Sequence, residues 1–168
     1  VIGDSVALRS SASFATLLPN AQLDAAVSRS FDNAFEIFQN EISSGTLSKT
    51  TVLAIGVNSL DHYQEDIQQF IDALPDGYRL VIVTPYNAGD EAKVKEARDY
   101  ELSLAKSYSY ITVADWYKAA TNHPEIWNGT DGVHYSDANT KGANLYVKTI
   151  QQAIDKSAKK PAKGESDN

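Results

Sequence analysis

Two short apolar runs, Thr-Val-Leu-Ala-Ile at 51–55 and Arg-Leu-Val-Ile-Val at 79–83, constrain what this chain can fold into. Each carries apolar side chains on consecutive positions, so as a strand it is apolar on both faces and needs cover on both sides. Between them, residues 62–74 place Ile67, Phe70, Ile71 and Leu74 on one helical stripe, and Pro75-Asp76-Gly77 makes a turn. Buried strands joined through a helix describe a parallel crossover.

The same alternation runs through the rest of the chain. Residues 6–18 read as a helix closed by Pro19-Asn20, and 21–27 as a short strand. Asp32 is a candidate cap for a helix with Ala34, Phe35, Phe38 and Ile42 on one face, ended by Gly45. A charged helix over 90–108 and a strand over 110–113 follow, then a polar and aromatic loop over about 116–136. The last helix starts near Asp137 and buries Ala143, Tyr146, Val147, Ile150 and Ile154. The expected fold is α/β: a three-layer α/β/α sandwich with a central parallel sheet, spanning residues 1–156 as one domain. Residues 157–168 have almost nothing to bury and read as a disordered polar tail.

Composition narrows the function. A net charge of -7 argues against nucleic acid as a partner, because phosphates need a basic face. No apolar run approaches the roughly 20 residues of a spanning helix. The chain has no cysteine, which removes thiol nucleophiles, disulfides and cysteine-ligated metal. It also has no methionine, and only Val1 and Ile2 precede Gly3-Asp4-Ser5, where a strand ordinarily takes about 5 residues. The expectation is a piece excised from a longer protein near its first strand.

Three local features carry chemistry. Gly3-Asp4-Ser5 follows a strand and opens a helix, a place where a serine hydroxyl projects and helix-end N–H groups face developing negative charge. By itself the tripeptide also suits a plain helix cap. Asp131-Gly132-Val133-His134 places a carboxylate three residues before an imidazole. That spacing lets the carboxylate fix the tautomer in which Nε2 accepts a proton from serine, or it is an ordinary polar loop. Gly56-Val57-Asn58 ends the 51–55 strand, and its amide is either an oxyanion donor or part of a turn. In a parallel sheet the crevice lies at the carboxyl ends of the strands, where Ser5, Ser28, Asn58 and Tyr86 all fall. Taken together, the three features bring serine, amide and imidazole to one sheet edge.

On these residues the chain resembles the SGNH (GDSL-type) hydrolase superfamily. Gly3-Asp4-Ser5 matches its first block, Gly56-Val57-Asn58 its third and Asp131 to His134 its fifth. The resemblance implies Ser5 as nucleophile, His134 as general base and then acid, and Asp131 as its orienter. It implies an oxyanion hole from the Ser5 N–H, the Asn58 amide and the N–H at Ser28. Two departures stand out: Ser59 replaces the usual Asp of the third block, and Ser28 replaces the second-block glycine. A Cβ at that position restricts the backbone.

A narrower resemblance rests on Gly3 to Arg9, Asp24 to Arg29, residues 54–58 and Thr84-Pro85-Tyr86. These segments look like the extracytoplasmic C-terminal domains of Gram-positive peptidoglycan O-acetyltransferases. The resemblance implies an acetyl-Ser5 intermediate and transfer to a sugar hydroxyl of the peptidoglycan strand, the C6 hydroxyl of N-acetylmuramic acid in particular. It also implies an acetyl donor delivered by an upstream membrane acyltransferase domain, tethering at the cell surface, and no cofactor.

Tyr86, Trp127 and Tyr135 are candidates for stacking on sugar rings or for wall packing. Arg29 is a candidate for a substrate carboxylate or for steadying its own loop. His62 and His123 lack metal-ligand spacing, so no metal is expected. Asn128-Gly129-Thr130 matches a glycosylation sequon, which a bacterial origin makes irrelevant. The rival functions are a secreted carbohydrate acetylesterase and a catalytically inactive sugar-binding module. Nucleotide binding fails because no glycine-rich phosphate loop follows any strand.

Overall fold

The computed structural model describes residues 1–58, 60–137 and 140–165. Five parallel strands form one sheet in the order β2-β1-β3-β4-β5. They are β1 (Ile2–Gly3), β2 (Asp24–Ala25), β3 (Thr50–Ala54), β4 (Arg79–Val83) and β5 (Ile111–Ala114). The helices between them are α1 (Ser5–Arg9), α2 (Ser11–Leu17), α3 (Phe31–Ser44), α4 (Tyr63–Ala73), α5 (Glu91–Ser107), α6 (Trp116–Thr121) and α7 (Lys141–Ser157).

Strand period dictates the layering. Successive side chains point to opposite faces, so Leu53, Leu80, Ile82 and Ile111 meet Phe38, Ile67, Phe70 and Ile71 on the α3–α4–α5 side. Val52, Ala54, Val81, Val83 and Ala114 meet Val6, Phe14, Trp116, Tyr146 and Ile150 on the other. Both faces of the sheet are covered, as the continuous apolar runs require. Truncating a fully buried ring such as Phe38 or Phe70 (both 0% exposed) would cost about 3–5 kcal/mol.

Several boundaries differ from the sequence reading, each for a local reason. The helix expected over 6–18 breaks at Ser10, whose hydroxyl turns inward to Tyr135 Oη, so α1 and α2 are separate. Ser30, not Asp32, caps α3, its hydroxyl accepting from the Asn33 N–H at 3.2 Å while Asp32 sits in the first turn. Gly45 ends α3 in the left-handed conformation, φ 73°. The stretch 116–136 is not all loop: it holds α6 and a 3-10 turn, Pro124–Trp127.

The tail is a correction as far as residue 165. Ala162 is buried, the Gly77 N–H donates to the Lys163 carbonyl at 2.8 Å and the Lys163 N–H donates to the Tyr78 carbonyl at 2.9 Å. Lys160 Nζ donates to the Ile111 carbonyl at 2.6 Å and Lys163 Nζ to the Ile71 carbonyl at 2.8 Å. Backbone and ammonium donors hold this segment, and a reading based on apolar side chains misses them. Residues 166–168 of the expected tail, and Ser59, lie outside the described residues.

Candidate active site

Gly3 is the reason the first strand can deliver a serine so abruptly to a helix. A Cβ there would stand 2.4 Å from the Ala7 Cβ, so only glycine lets α1 fold back onto β1. Asp4 then caps α1, Oδ1 accepting from the Val6 N–H at 3.0 Å. Ser5 is the first helical residue, and its own N–H belongs to the first turn, which has no intrahelical acceptor.

From the other end of the chain, the loop ahead of α7 brings His134 against this serine. Ser5 Oγ lies 2.7 Å from His134 Nε2, and His134 Nδ1 lies 2.8 Å from Asp131 Oδ2. The loop is shaped by the same carboxylate: Asp131 Oδ1 accepts from the N–H groups of Val133 at 2.9 Å and His134 at 2.8 Å. Those backbone donors and the imidazole hold the Asp131 carboxyl well below the usual carboxylate range. Gly132 has φ +76°, and a Cβ on it would sit 2.7 Å from the Ala88 Cβ. Its carbonyl accepts from the Ala88 N–H at 3.0 Å, tying the histidine loop to the segment after β4.

Serine, imidazole and carboxylate therefore form a continuous chain of hydrogen bonds. Asn58 and Ser28 complete the surroundings: Ser5, Leu8, Arg9, Val27, Ser28, Asn58 and His134 line one open cleft of about 440 Å³. Ser28 has φ +59°, the left-handed conformation that suits glycine. The backbone at the second block thus keeps the glycine-type shape although the side chain has changed. Asn58 Nδ2 lies 3.5 Å from the Arg29 carbonyl, so the second-block and third-block loops adjoin.

Two of the candidate substrate residues are corrected. Tyr135 is 1% exposed, and its hydroxyl donates to the Val6 carbonyl at 2.9 Å while meeting Ser10 Oγ. Burial pushes its phenol upward, and it braces α1 from below rather than facing a ligand. Arg29 is 8% exposed and donates to the Asp24 carbonyl at 2.6 Å and the Gly3 carbonyl at 3.3 Å, with Asp24 Oδ1 at 2.9 Å. Its Nη1 stitches β1 to β2, and the guanidinium is buried inside the fold.

Tyr86 and Trp127 are half-buried and tilted against each other, ring centroids 4.7 Å apart, with Trp127 Nε1 donating to the Ala120 carbonyl at 2.9 Å. They stand outside the lining of the serine cleft. Leu8, Arg9 and Val27 are cleft residues that the sequence reading passed over. Leu8 and Arg9 follow Ser5 by three and four positions, the spacing that puts helical side chains on one face. Arg9 Nε donates to the Tyr135 carbonyl at 2.7 Å, and an Nη lies 3.1 Å from Asp137 Oδ2. Among the described residues no group of three or more His, Cys, Asp or Glu is placed to hold a metal ion. No helix among them is long and apolar enough to cross a membrane.

Comparison with known proteins adds a second line. No family model matches the chain. A solved structure of the Streptococcus pneumoniae peptidoglycan O-acetyltransferase A (OatA) C-terminal catalytic domain, with a methylsulfonyl adduct, superposes with a TM-score of 0.93. It is 41% identical, over 98% of this chain and 96% of that one. The O-acetyltransferase OatA of Staphylococcus aureus is 28% identical over 162 residues, 90% of this chain. The chain spans about a quarter (24%) of the length of that curated relative. A further structure from Streptococcus pneumonia, described in connection with platelet activating factor, has a TM-score of 0.65 at 17% identity, over 90% of this chain and 80% of that one; it shares the fold alone.

Proposed function

Because this chain belongs to the family of OatA-type peptidoglycan O-acetyltransferase catalytic domains, we propose that it transfers acetyl groups through Ser5 to a sugar hydroxyl of peptidoglycan. The observation that carries the mechanism is the unbroken Ser5–His134–Asp131 hydrogen-bond chain. His134 Nε2 takes the Ser5 proton as Oγ attacks the acetyl carbonyl, and the tetrahedral oxyanion forms beside the Ser5 N–H and the Asn58 amide. Collapse expels the donor's leaving group, protonated by His134, and leaves acetyl-Ser5. The acceptor hydroxyl then gives its proton to His134 and attacks the same carbonyl, and the second collapse returns the proton to Ser5.

The Ser28 N–H is the third oxyanion donor in this reading, supported by the backbone shape at φ +59°. The acceptor is the C6 hydroxyl of N-acetylmuramic acid. The acetyl donor arrives from a membrane acyltransferase domain preceding this one, and the reaction takes place outside the cytoplasmic membrane. Residues 1–156, with the segment 157–165 packed against them, form the catalytic domain.

The acetylesterase alternative shares the first half-reaction and differs in letting water attack acetyl-Ser5. A chromogenic acetyl ester, with and without chitooligosaccharide or muropeptide, separates the two. Ester consumption that rises with acceptor, with acetylated glycan found by mass spectrometry, supports transfer. Ester hydrolysis with unmodified glycan, and acetate released from O-acetylated polymer, would assign an esterase.

A further inference from the structure

The bond between serine and imidazole has a neighbour that joins the same two segments. Ser5 opens α1 and Arg9 closes it, at the four-residue spacing that puts helical side chains on one face. In the loop ahead of α7, His134 and Tyr135 are consecutive. Ser5 Oγ meets His134 Nε2 at 2.7 Å, and Arg9 Nε donates to the Tyr135 carbonyl at 2.7 Å. The two bonds stand about one helical turn apart, like adjacent rungs between the nucleophile's helix and the base's loop.

The peptide unit that follows His134 by one residue is held at two ends. Its carbonyl, on Tyr135, accepts from Arg9, and its N–H, on Ser136, donates to the Ile126 carbonyl at 2.8 Å. The Tyr135 ring is anchored separately, its hydroxyl donating to the Val6 carbonyl at 2.9 Å and meeting Ser10 Oγ. A Cβ on Gly142 would lie 2.6 Å from the Tyr135 Cβ, so α7 closes tightly against this residue. The tyrosine ring fixes how deep the loop sits, and the arginine ties the loop's backbone to α1.

Of the two contacts that Arg9 makes, the Nε bond is the constrained one. An Nη lies 3.1 Å from Asp137 Oδ2, but that carboxylate side chain is 83% exposed and solvent screens the pair. Tyr135, by contrast, is 1% exposed. A carbonyl stripped of its donor in such a place drives the backbone toward another partner.

We propose that Arg9 is a positioning residue whose Nε–H holds the loop at Tyr135 in register with α1, and so presents His134 to Ser5 before substrate arrives. This rests on the acyl-transfer reading above, in which His134 is the base. The guanidinium charge has no part in it, so the position of one donor decides the effect.

Two replacements of matched length isolate that donor. Glutamine places an amide nitrogen, and methionine a methyl group, the same number of bonds from Cα as Arg9 Nε. Each also removes the charge and the Asp137 pair. Wild type, Arg9→Gln, Arg9→Met and His134→Ala are compared by their rate of sulfonylation with methanesulfonyl fluoride and by kcat and KM for a neutral acetyl ester. Mass spectrometry at the end of sulfonylation counts the reactive serines to which kcat is normalised. Arg9→Met is expected to slow sulfonylation and kcat about 10- to 100-fold, with KM within about two-fold of wild type. Arg9→Gln, which restores the donor, is expected to stay within about five-fold of wild type in both rates.

Equal slowing by Arg9→Gln and Arg9→Met would overturn the proposal and assign the effect to the lost charge. An Arg9→Met enzyme with wild-type kcat per reactive serine and only a lower melting temperature would also overturn it, since a merely structural arginine gives that result. Arg9→Leu carries the same comparison where Arg9→Met does not fold. A wild-type sulfonylation rate in His134→Ala would refute His134 as the base, and this inference with it. A slow His134→Ala beside an unimpaired Arg9→Met would refute only the inference.

Discussion

Replacing Asp131 by asparagine asks more of the triad than deletion does, because the native carboxylate serves three donors with two oxygens. Oδ1 holds the Val133 and His134 N–H groups, and Oδ2 holds the imidazole Nδ1–H. An asparagine has a single oxygen to share. If that oxygen stays with the backbone, the NH2 group faces Nδ1 and the ring must carry its proton on Nε2. Ser5 then has no base, and in a triad trapped in that tautomer turnover drops about 10⁴-fold.

If the amide flips, the imidazole keeps its productive tautomer while the NH2 group opposes two backbone N–H groups. Unmaking those bonds costs about 1–3 kcal/mol, or about 5- to 150-fold in the population of competent enzyme. The flip is the cheaper route, so it sets the loss. The missing negative charge beside the imidazolium adds about 1 kcal/mol at most, another factor of about five, because the Asp131 side chain is 59% exposed and solvent screens it. Asp131→Asn should therefore lower kcat for acetyl-ester hydrolysis about 25- to 750-fold with little change in KM. The assay is steady-state hydrolysis normalised to titrated serine. Activity within about three-fold of wild type would show that Asp131 does not orient His134, and a loss of 10⁴-fold or more would refute the flip.

Other perturbations address neighbouring claims. Tyr135→Phe removes a buried hydroxyl bonded to Val6 and Ser10, so the melting temperature should fall by about 2–8 °C while the acceptor KM holds. A raised acceptor KM at unchanged stability would restore Tyr135 as a substrate contact. Ser28→Gly relieves a left-handed backbone that costs a non-glycine residue about 1–2 kcal/mol, partly offset by the greater freedom of unfolded glycine, and should raise the melting temperature by up to about 3 °C. A fall would mean that the serine side chain stabilises that loop. Glu101 is 2% exposed, and burial, then the nearby Asp115 charge, push its carboxyl well up. A carboxyl raised in the folded state loses stability as pH climbs from the ordinary glutamate range toward the folded value. Denaturant melts should therefore show a stability advantage for Glu101→Gln that grows from mildly acidic to mildly alkaline buffer, and an advantage independent of pH would contradict the burial argument.

The sheet was legible because β3 and β4 each carry consecutive apolar residues, Val52 to Ala54 and Leu80 to Val83, that leave no other economical burial. β2 was harder: residues 21–27 suggested a longer strand, but only Asp24 and Ala25 pair with β1. The Ser5–His134–Asp131 hydrogen-bond chain was legible through local spacing, since Asp131 and His134 lie three apart and Ser5 falls at a strand end. What escaped depends on contacts between distant segments. Nothing near Tyr135 in the chain says that Ser10 and Val6 lie beneath its hydroxyl. Arg29 read either as a substrate contact or as a brace for its own loop, and the Asp24 carboxylate and carbonyl that β2 brings onto it decide for the brace. Charge type is visible in a sequence, but partner identity is set by the fold.

The most direct test of acetyl transfer through Ser5 is intact-protein mass spectrometry during reaction with an acetyl ester, quenched before and after glycan acceptor is added. The mechanism predicts a population heavier by one acetyl group, mapped to Ser5 by peptide fragmentation, that disappears on adding chitooligosaccharide or muropeptide as an acetylated glycan forms. An acetyl group on another residue, or continued glycan acetylation by Ser5→Ala enzyme with no protein adduct, would contradict it.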